Sequence, residues 1–144
     1  MQNSAPVVVV GVDGSDESVD ALSWAVHYAE AVGGRVKAVH SWHYPTTYGY
    51  VPDWSYTDFE HEAADTVRLT VEKAAPAPRV PIEEIVVRGV AGPSLVEVAA
   101  DADLLVVGSR GRGGFAGALL GSVSSYCVHH ATCPVTVLHH RGTR

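Results

Sequence analysis

Between Val106 and Ser125 the chain reads "VVGSRGRGGFAGALLGSVSS", which holds six glycines, two arginines and no acidic residue. Glycine gives up more backbone freedom on folding than any other residue, so such a cluster marks sharp turns or a backbone that something approaches closely. Gly108 and Gly111 let successive amides turn toward one point, the arrangement that cradles an anion. Arg110 and Arg112 put guanidinium charge on the same loop, suited to outer phosphate oxygens. Gly121-Ser122 opens a helical pattern whose first amides and dipole favour a phosphate, with Ser122 and Ser124 as hydroxyl donors. Three glycines within Arg112–Gly117 predict a loop that becomes ordered around its ligand.

The spacing separates this loop from better-known phosphate motifs. A Walker A loop needs a Gly-Lys pair, and the chain has none. The Rossmann fingerprint is met formally by Gly111, Gly113 and Ala116. That motif belongs after a first strand, however, with an acidic residue about 20 positions later, and here no acidic residue follows Asp103. What remains is Gly108, two residues, Gly111, nine residues, then Gly121-Ser122, or G-x2-G-x9-G-S. Other chemistries find less support. His129-His130 point apart on a helix, His139-His140 alternate across a strand, and neither pair has zinc-ligand spacing with a cysteine. No G-x-S-x-G elbow is present, and no residue stands out as a base for water attack.

Such a loop works only if regular elements hold it. "PVVVVGVD" (Pro6–Asp13) is a β-branched run of the kind buried on both faces in a parallel sheet. A helix follows, with Ser15 or Asp16 as cap, Ala21, Leu22, Ala25 and Ala29 on one face, and Gly33-Gly34 as its stop. "RVKAVHS" (35–41) gives a second strand. Six Trp or Tyr residues and two prolines fill residues 42–56 and exclude a regular central element there. Residues 58–75 read as an amphipathic helix, 82–89 as a third strand, 92–102 as a short helix and 103–109 as a fourth strand. After the glycine segment, 122–131 is helical and "PVTVLHH" (134–140) is a last strand. Alternation of this kind predicts an α/β fold with a parallel sheet and helices on both faces. Ligands of such sheets sit beyond the carboxyl ends of the strands, so Asp13, Ser41 and Gly108 are expected to meet.

The 144 residues suit one domain, 1–144, with 47% hydrophobic and 18% charged residues. No apolar run approaches a membrane span, and the start lacks the basic and apolar regions of a signal peptide, so a cytoplasmic protein is expected. Cys127 and Cys133 read as free thiols rather than a disulfide framework. A net charge of −6 argues against nucleic acid as a partner. All 16 acidic residues lie at or before Asp103, whereas four arginines and no carboxylate follow it, which favours an anionic ligand at the C-terminal part.

The G-x2-G-x9-G-S spacing resembles the ATP-binding branch of the universal stress protein family. "VGVDGS" after the first strand, "AVHSW" after the second and "CPVTVL" in the last extend the likeness from end to end. The resemblance implies a five-stranded parallel sheet of order 3-2-1-4-5, the adenine nucleotide α-hydrolase-like fold. It also implies ATP with Mg²⁺ at Val12, Asp13, Ser41, Gly108, Ser109, Arg110, Gly111, Arg112, Gly121, Ser122, Val123 and Ser124. Asp13 would hold the ribose hydroxyls, and backbone near Ser41 would read the adenine. Position 110, often His in the family, is Arg here. The implied role is a nucleotide-dependent switch in the stress response, with an unknown signalling partner and a homodimer joined through the last strand. Two other roles fit the residues: a protein-interaction module with an empty loop, and a slow ATP-hydrolysing enzyme. For residues 42–56 a nucleotide lid, a partner contact and a self-packed loop are all open.

Overall fold

The structure is a computed structural model that describes residues 4–43, 53–110 and 120–140, with residues 53–57 as backbone only. The elements run β1 (Val7–Gly11), α1 (Asp16–Val32), β2 (Arg35–Trp42), α2 (Asp53–Ala74), β3 (Ile82–Arg88), α3 (Ala91–Val98), β4 (Leu104–Gly108), α4 (Ser122–His130) and β5 (Val135–Leu138). All strand pairs are parallel and their order is β3-β2-β1-β4-β5. The two central strands are the most apolar of the chain, which is why they tolerate helices on both sides.

Strand alternation divides the core. Val8, Val10, Leu104 and Val106 face one side, where Ala21, Leu22, Ala25 and Ala29 of α1 and Val67 of α2 cover them. Val9, Leu105 and Val107 face the other, against Leu95 of α3 and Cys127 of α4. The four α1 positions expected to face the core are all fully buried. Ser15 is the cap: its Oγ accepts the Ser18 N–H at 3.2 Å, which settles the choice between Ser15 and Asp16. The two glycines after α1 have different tasks. Gly33 closes the helix at φ 71°, a left-handed conformation that favours glycine. At Gly34 a Cβ would lie 2.6 Å from the Pro6 carbonyl oxygen, so the need there is for space.

Four boundaries differ from expectation. Helix α2 starts at Asp53 rather than 58, taking the end of the aromatic segment into a regular element. Aromatic and proline content argues against a strand, but Trp and Tyr are tolerated in a helix, and an Asp suits its first turn. Trp42 belongs to β2, is buried, and stacks on Phe59 of α2 with ring centroids 6.2 Å apart. It therefore serves the core instead of a lid or a contact surface. Residues 44–52, the rest of that segment up to α2, lie outside the described residues. The 92–102 helix divides into α3 and a short 3₁₀ turn, Ala99–Asp101. Strand β5 is shorter than expected, ending at Leu138, and His140 beyond it donates from Nδ1 to Asp20 Oδ2 at 2.6 Å.

Both cysteines are free, and burial pushes the Cys127 thiol up to about 11 from an ordinary 9.0. Unfolded Cys127 loses its proton above pH 9 while the folded form keeps it, so the unfolded state binds fewer protons in that window. Stability is then fully present below pH 9 and falls as pH rises from 9 to about 11, with a limiting slope of roughly 1.4 kcal/mol per unit. Denaturant melts of wild type and Cys127→Ala between pH 8 and 10.5 should show a shallower alkaline decline in the variant. Parallel declines would remove Cys127 as the cause.

Candidate functional site

The carboxyl ends of β1, β2 and β4 converge as the alternation requires, and they line an open cleft whose space, with the solvent at its mouth, is about 540 Å³. Its lining includes Val12 and Asp13 after β1, His40 and Ser41 of β2, Gly108 and Arg110 at the end of β4, and Val123 and Ser124 of α4. Val39, Leu95 and Val107 supply an apolar side, the mixture of apolar wall and few polar groups typical of a small-molecule site. Of the twelve positions expected from sequence, Val12, Asp13, Ser41, Gly108, Arg110, Val123 and Ser124 share this cleft. Gly111 and Arg112 lie outside the described residues. Ser109, just past β4, and Gly121 and Ser122, which open α4, are not among the residues that line the cleft; the Gly121 N–H donates to the Ser109 carbonyl.

Asp13 has a structural task as well as a place in the cleft. Its Oδ1 accepts both the Ser15 N–H, at 2.9 Å, and the Ser15 Oγ–H, at 2.5 Å. The carboxylate therefore orients the residue that caps α1, and ordering that cap fixes the rim of the cleft. Val12 is tied on both backbone sides: its N–H donates to the Val39 carbonyl at 2.8 Å, and its carbonyl accepts from His40 Nδ1 at 2.8 Å. A carbonyl only accepts, so Nδ1 of His40 carries a proton. The imidazole thereby locks the ends of β1 and β2 together at the cleft.

The start of α4 is held from the opposite direction. Gly121 occupies the N-cap with φ −76° and ψ 175°, and among the described residues no side chain caps this helix end. Those dihedrals are open to any residue, so what glycine supplies is a bare Cα. The first amides of a helix have no intrahelical acceptor, which leaves this end suited to an anion. Ser124 Oγ is committed: it donates to the Ser109 carbonyl at 2.8 Å and to the Gly121 carbonyl at 3.2 Å. The Gly121 N–H also donates to the Ser109 carbonyl, at 2.6 Å. Ser109 thus pins α4 to the end of β4, and Ser124 works as a clamp on that joint.

One residue absent from the sequence-derived set stands against Ser109 and Arg110, just past the end of β4. Glu17, in the first turn of α1, accepts the Arg110 N–H at 2.9 Å and the Ser109 Oγ–H at 3.2 Å through Oε2. Its Oε1 lies 3.9 Å from Arg110 Nε, and only 15% of the side chain is exposed. Gly108 makes this approach feasible, because a Cβ there would stand 3.2 Å from Glu17 Cβ. Sequence reasoning assigned Gly108 to the turn and left Glu17 outside the site. Nothing local links positions 17 and 108–110; only the β1–β4 pairing brings them together.

This arrangement, a β3-β2-β1-β4-β5 parallel sheet with its cleft at the ends of β1, β2 and β4, defines the adenine nucleotide α-hydrolase-like fold. The sequence profile of the Universal stress protein family matches residues 6–139, and the chain belongs to that family. A universal stress protein of Mycobacterium tuberculosis is 36% identical over 142 residues, covering 92% of this chain and 47% of the relative. One of Mycolicibacterium smegmatis is 39% identical over 137 residues, covering 93% and 46%. The chain therefore spans about half the length of the curated relatives it matches. Among solved structures, a universal stress protein in complex with cAMP is 32% identical with a TM-score of 0.67, covering 95% of this chain and 98% of that one.

Proposed function

We propose that the cleft binds an adenine nucleotide and that its occupancy acts as a switch in the stress response. The observation that carries this reading is the convergence of three strand ends on the uncapped start of α4. Apolar side chains line one part of the cleft for a base, Asp13 stands where a ribose would lie, and α4 and the glycine loop offer amides for phosphate. A relative that is 32% identical binds cAMP, which supports the nucleotide class.

In this reading ATP is the physiological ligand, held by the positions named from sequence, Gly111 and Arg112 among them. Val12 offers its carbonyl's second lone pair, and Ser41 offers backbone groups to the base. Among the described residues no three His, Cys, Asp or Glu side chains gather as a cation site. Mg²⁺ would therefore arrive on the phosphates, where it neutralises charge between neighbouring oxygens. We assign the protein to the cytoplasm as a homodimer, since β5 is an edge strand and pairing across a two-fold axis would cover it. Among the described residues no helix is long and apolar enough to cross a membrane.

Titration calorimetry with ATP and Mg²⁺, after denaturing removal of copurified nucleotide and refolding, tests the proposal. Gly121→Ala/Ser122→Ala should weaken binding at least ~10-fold, by crowding the helix end and removing one hydroxyl donor. A folded wild type that binds no adenine nucleotide would sink the reading. Sedimentation of the same sample reads the oligomeric state, and a monomer with and without nucleotide would rule out the β5 dimer.

A further inference from the structure

Resting on that nucleotide reading, we infer that Glu17, which stands beside the cleft against Ser109 and Arg110, occupies the place an outer phosphate would take and so sets which adenine nucleotides enter without cost. The donors that would meet an outer phosphate are already facing an anion. Glu17 Oε2 takes the Arg110 N–H at 2.9 Å and the Ser109 Oγ–H at 3.2 Å, and its other oxygen lies 3.9 Å from Arg110 Nε. A carboxylate accepting backbone N–H and hydroxyl donors beside a guanidinium reproduces what a phosphate oxygen would find there.

The same cradle has a second set of donors that no side chain among the described residues caps. Helix α4 begins at Gly121 without a side-chain cap. Its start is joined to the Glu17 partners through Ser109, whose carbonyl accepts from Gly121 N–H and Ser124 Oγ. One phosphate can sit at the helix end and leave Glu17 in place. A chain of three phosphates extends toward Ser109 and Arg110, where it meets the carboxylate directly. Like charges at contact distance in a partly buried site repel strongly, so the triphosphate must push Glu17 out.

That displacement is also what would make the site a switch. Glu17 lies two residues after the α1 cap, and Ser15 is itself held by Asp13. Expelling Glu17 breaks its contacts with Ser109 and Arg110 and loosens the hold of α1 on the end of β4. A monophosphate or cyclic nucleotide fills the cleft without that movement. Glu17 therefore acts as a counter of phosphates, separating low-charge from high-charge occupants of one pocket.

The test is the ratio of ATP to AMP affinity, measured by calorimetry without Mg²⁺, in wild type, Glu17→Ala and Glu17→Gln. Removing the carboxylate should raise that ratio ~10-fold, the scale of one charge-assisted contact. Glu17→Gln keeps the shape and an acceptor, so it serves if the alanine variant does not fold, and a higher ratio there isolates the charge. An unchanged ratio in a folded variant, with AMP still bound, would overturn the role of Glu17 alone. Failure of wild type to bind either nucleotide would overturn the nucleotide reading and this inference with it.

Discussion

Truncating Leu105 to alanine is expected to lower the melting temperature by about 10 °C, from a loss of ~3 kcal/mol at roughly 3 °C per kcal/mol for a chain of this size. Leu105 is completely buried in β4. It pairs with Val9 on one side and Val135 on the other, and it packs in the cluster that holds Leu95 and Cys127.

 

Leu95 of α3 and Cys127 of α4 are the neighbours that would face the void. Both faces of β4 are covered, so the surroundings have little room to collapse into it. Thermal melts followed by circular dichroism measure the effect. A drop of less than about 3 °C would mean that the α3–α4 side relaxes far more than close packing allows.

The second large effect is expected at Gly34. Alanine there places a Cβ 2.6 Å from the Pro6 carbonyl oxygen, which also accepts the Arg35 N–H at 2.9 Å. Neither atom belongs to a flexible side chain, so β1 and β2 must separate at their first rung or the Gly34 backbone must shift. A cost of about 2–3 kcal/mol follows, at the upper end for overpacking. Gly33→Ala is the comparison: it meets no atom within 4 Å but must hold φ 71°, a penalty of about 1 kcal/mol. Chemical denaturation should therefore rank Gly34→Ala as the more damaging of the two. The reverse order would assign the Gly-Gly requirement to the helix cap alone.

The fold was legible because its signal is local. Four valines in a row at Val7–Val10 and the run Leu104–Val107 state a strand covered on both faces, and alternation with helical patterns limits the topology. The strand order came from the family resemblance, since periodicity alone does not order strands. Boundaries were less legible where residue type is ambivalent. Trp42 was grouped with the aromatic residues after it, yet its burial against Phe59 makes it the last residue of β2.

The cleft was legible in outline because strand ends are predictable positions in a parallel sheet. Glu17 was not, because an acidic residue in the first turn of a helix already has a sufficient local explanation. Its contact with Ser109 and Arg110 depends on the register of β1 with β4, which no short window of sequence contains. The division of charge along the chain also reads differently in three dimensions. A carboxylate from the acidic part is placed against the loop of the part that has none.

The sheet order has a consequence for how the molecule is made. Strand β1 emerges early in synthesis and can pair at once with β2 and then β3, but its other neighbour, β4, is translated much later. The N-terminal half must therefore wait on the ribosome with one edge of its most apolar strand uncovered. The cleft is unfinished throughout that interval, because Gly108, Arg110, Val123 and Ser124 have yet to appear. No ligand of this cleft can assist the early steps, and that edge of β1 stays unpaired until β4 docks.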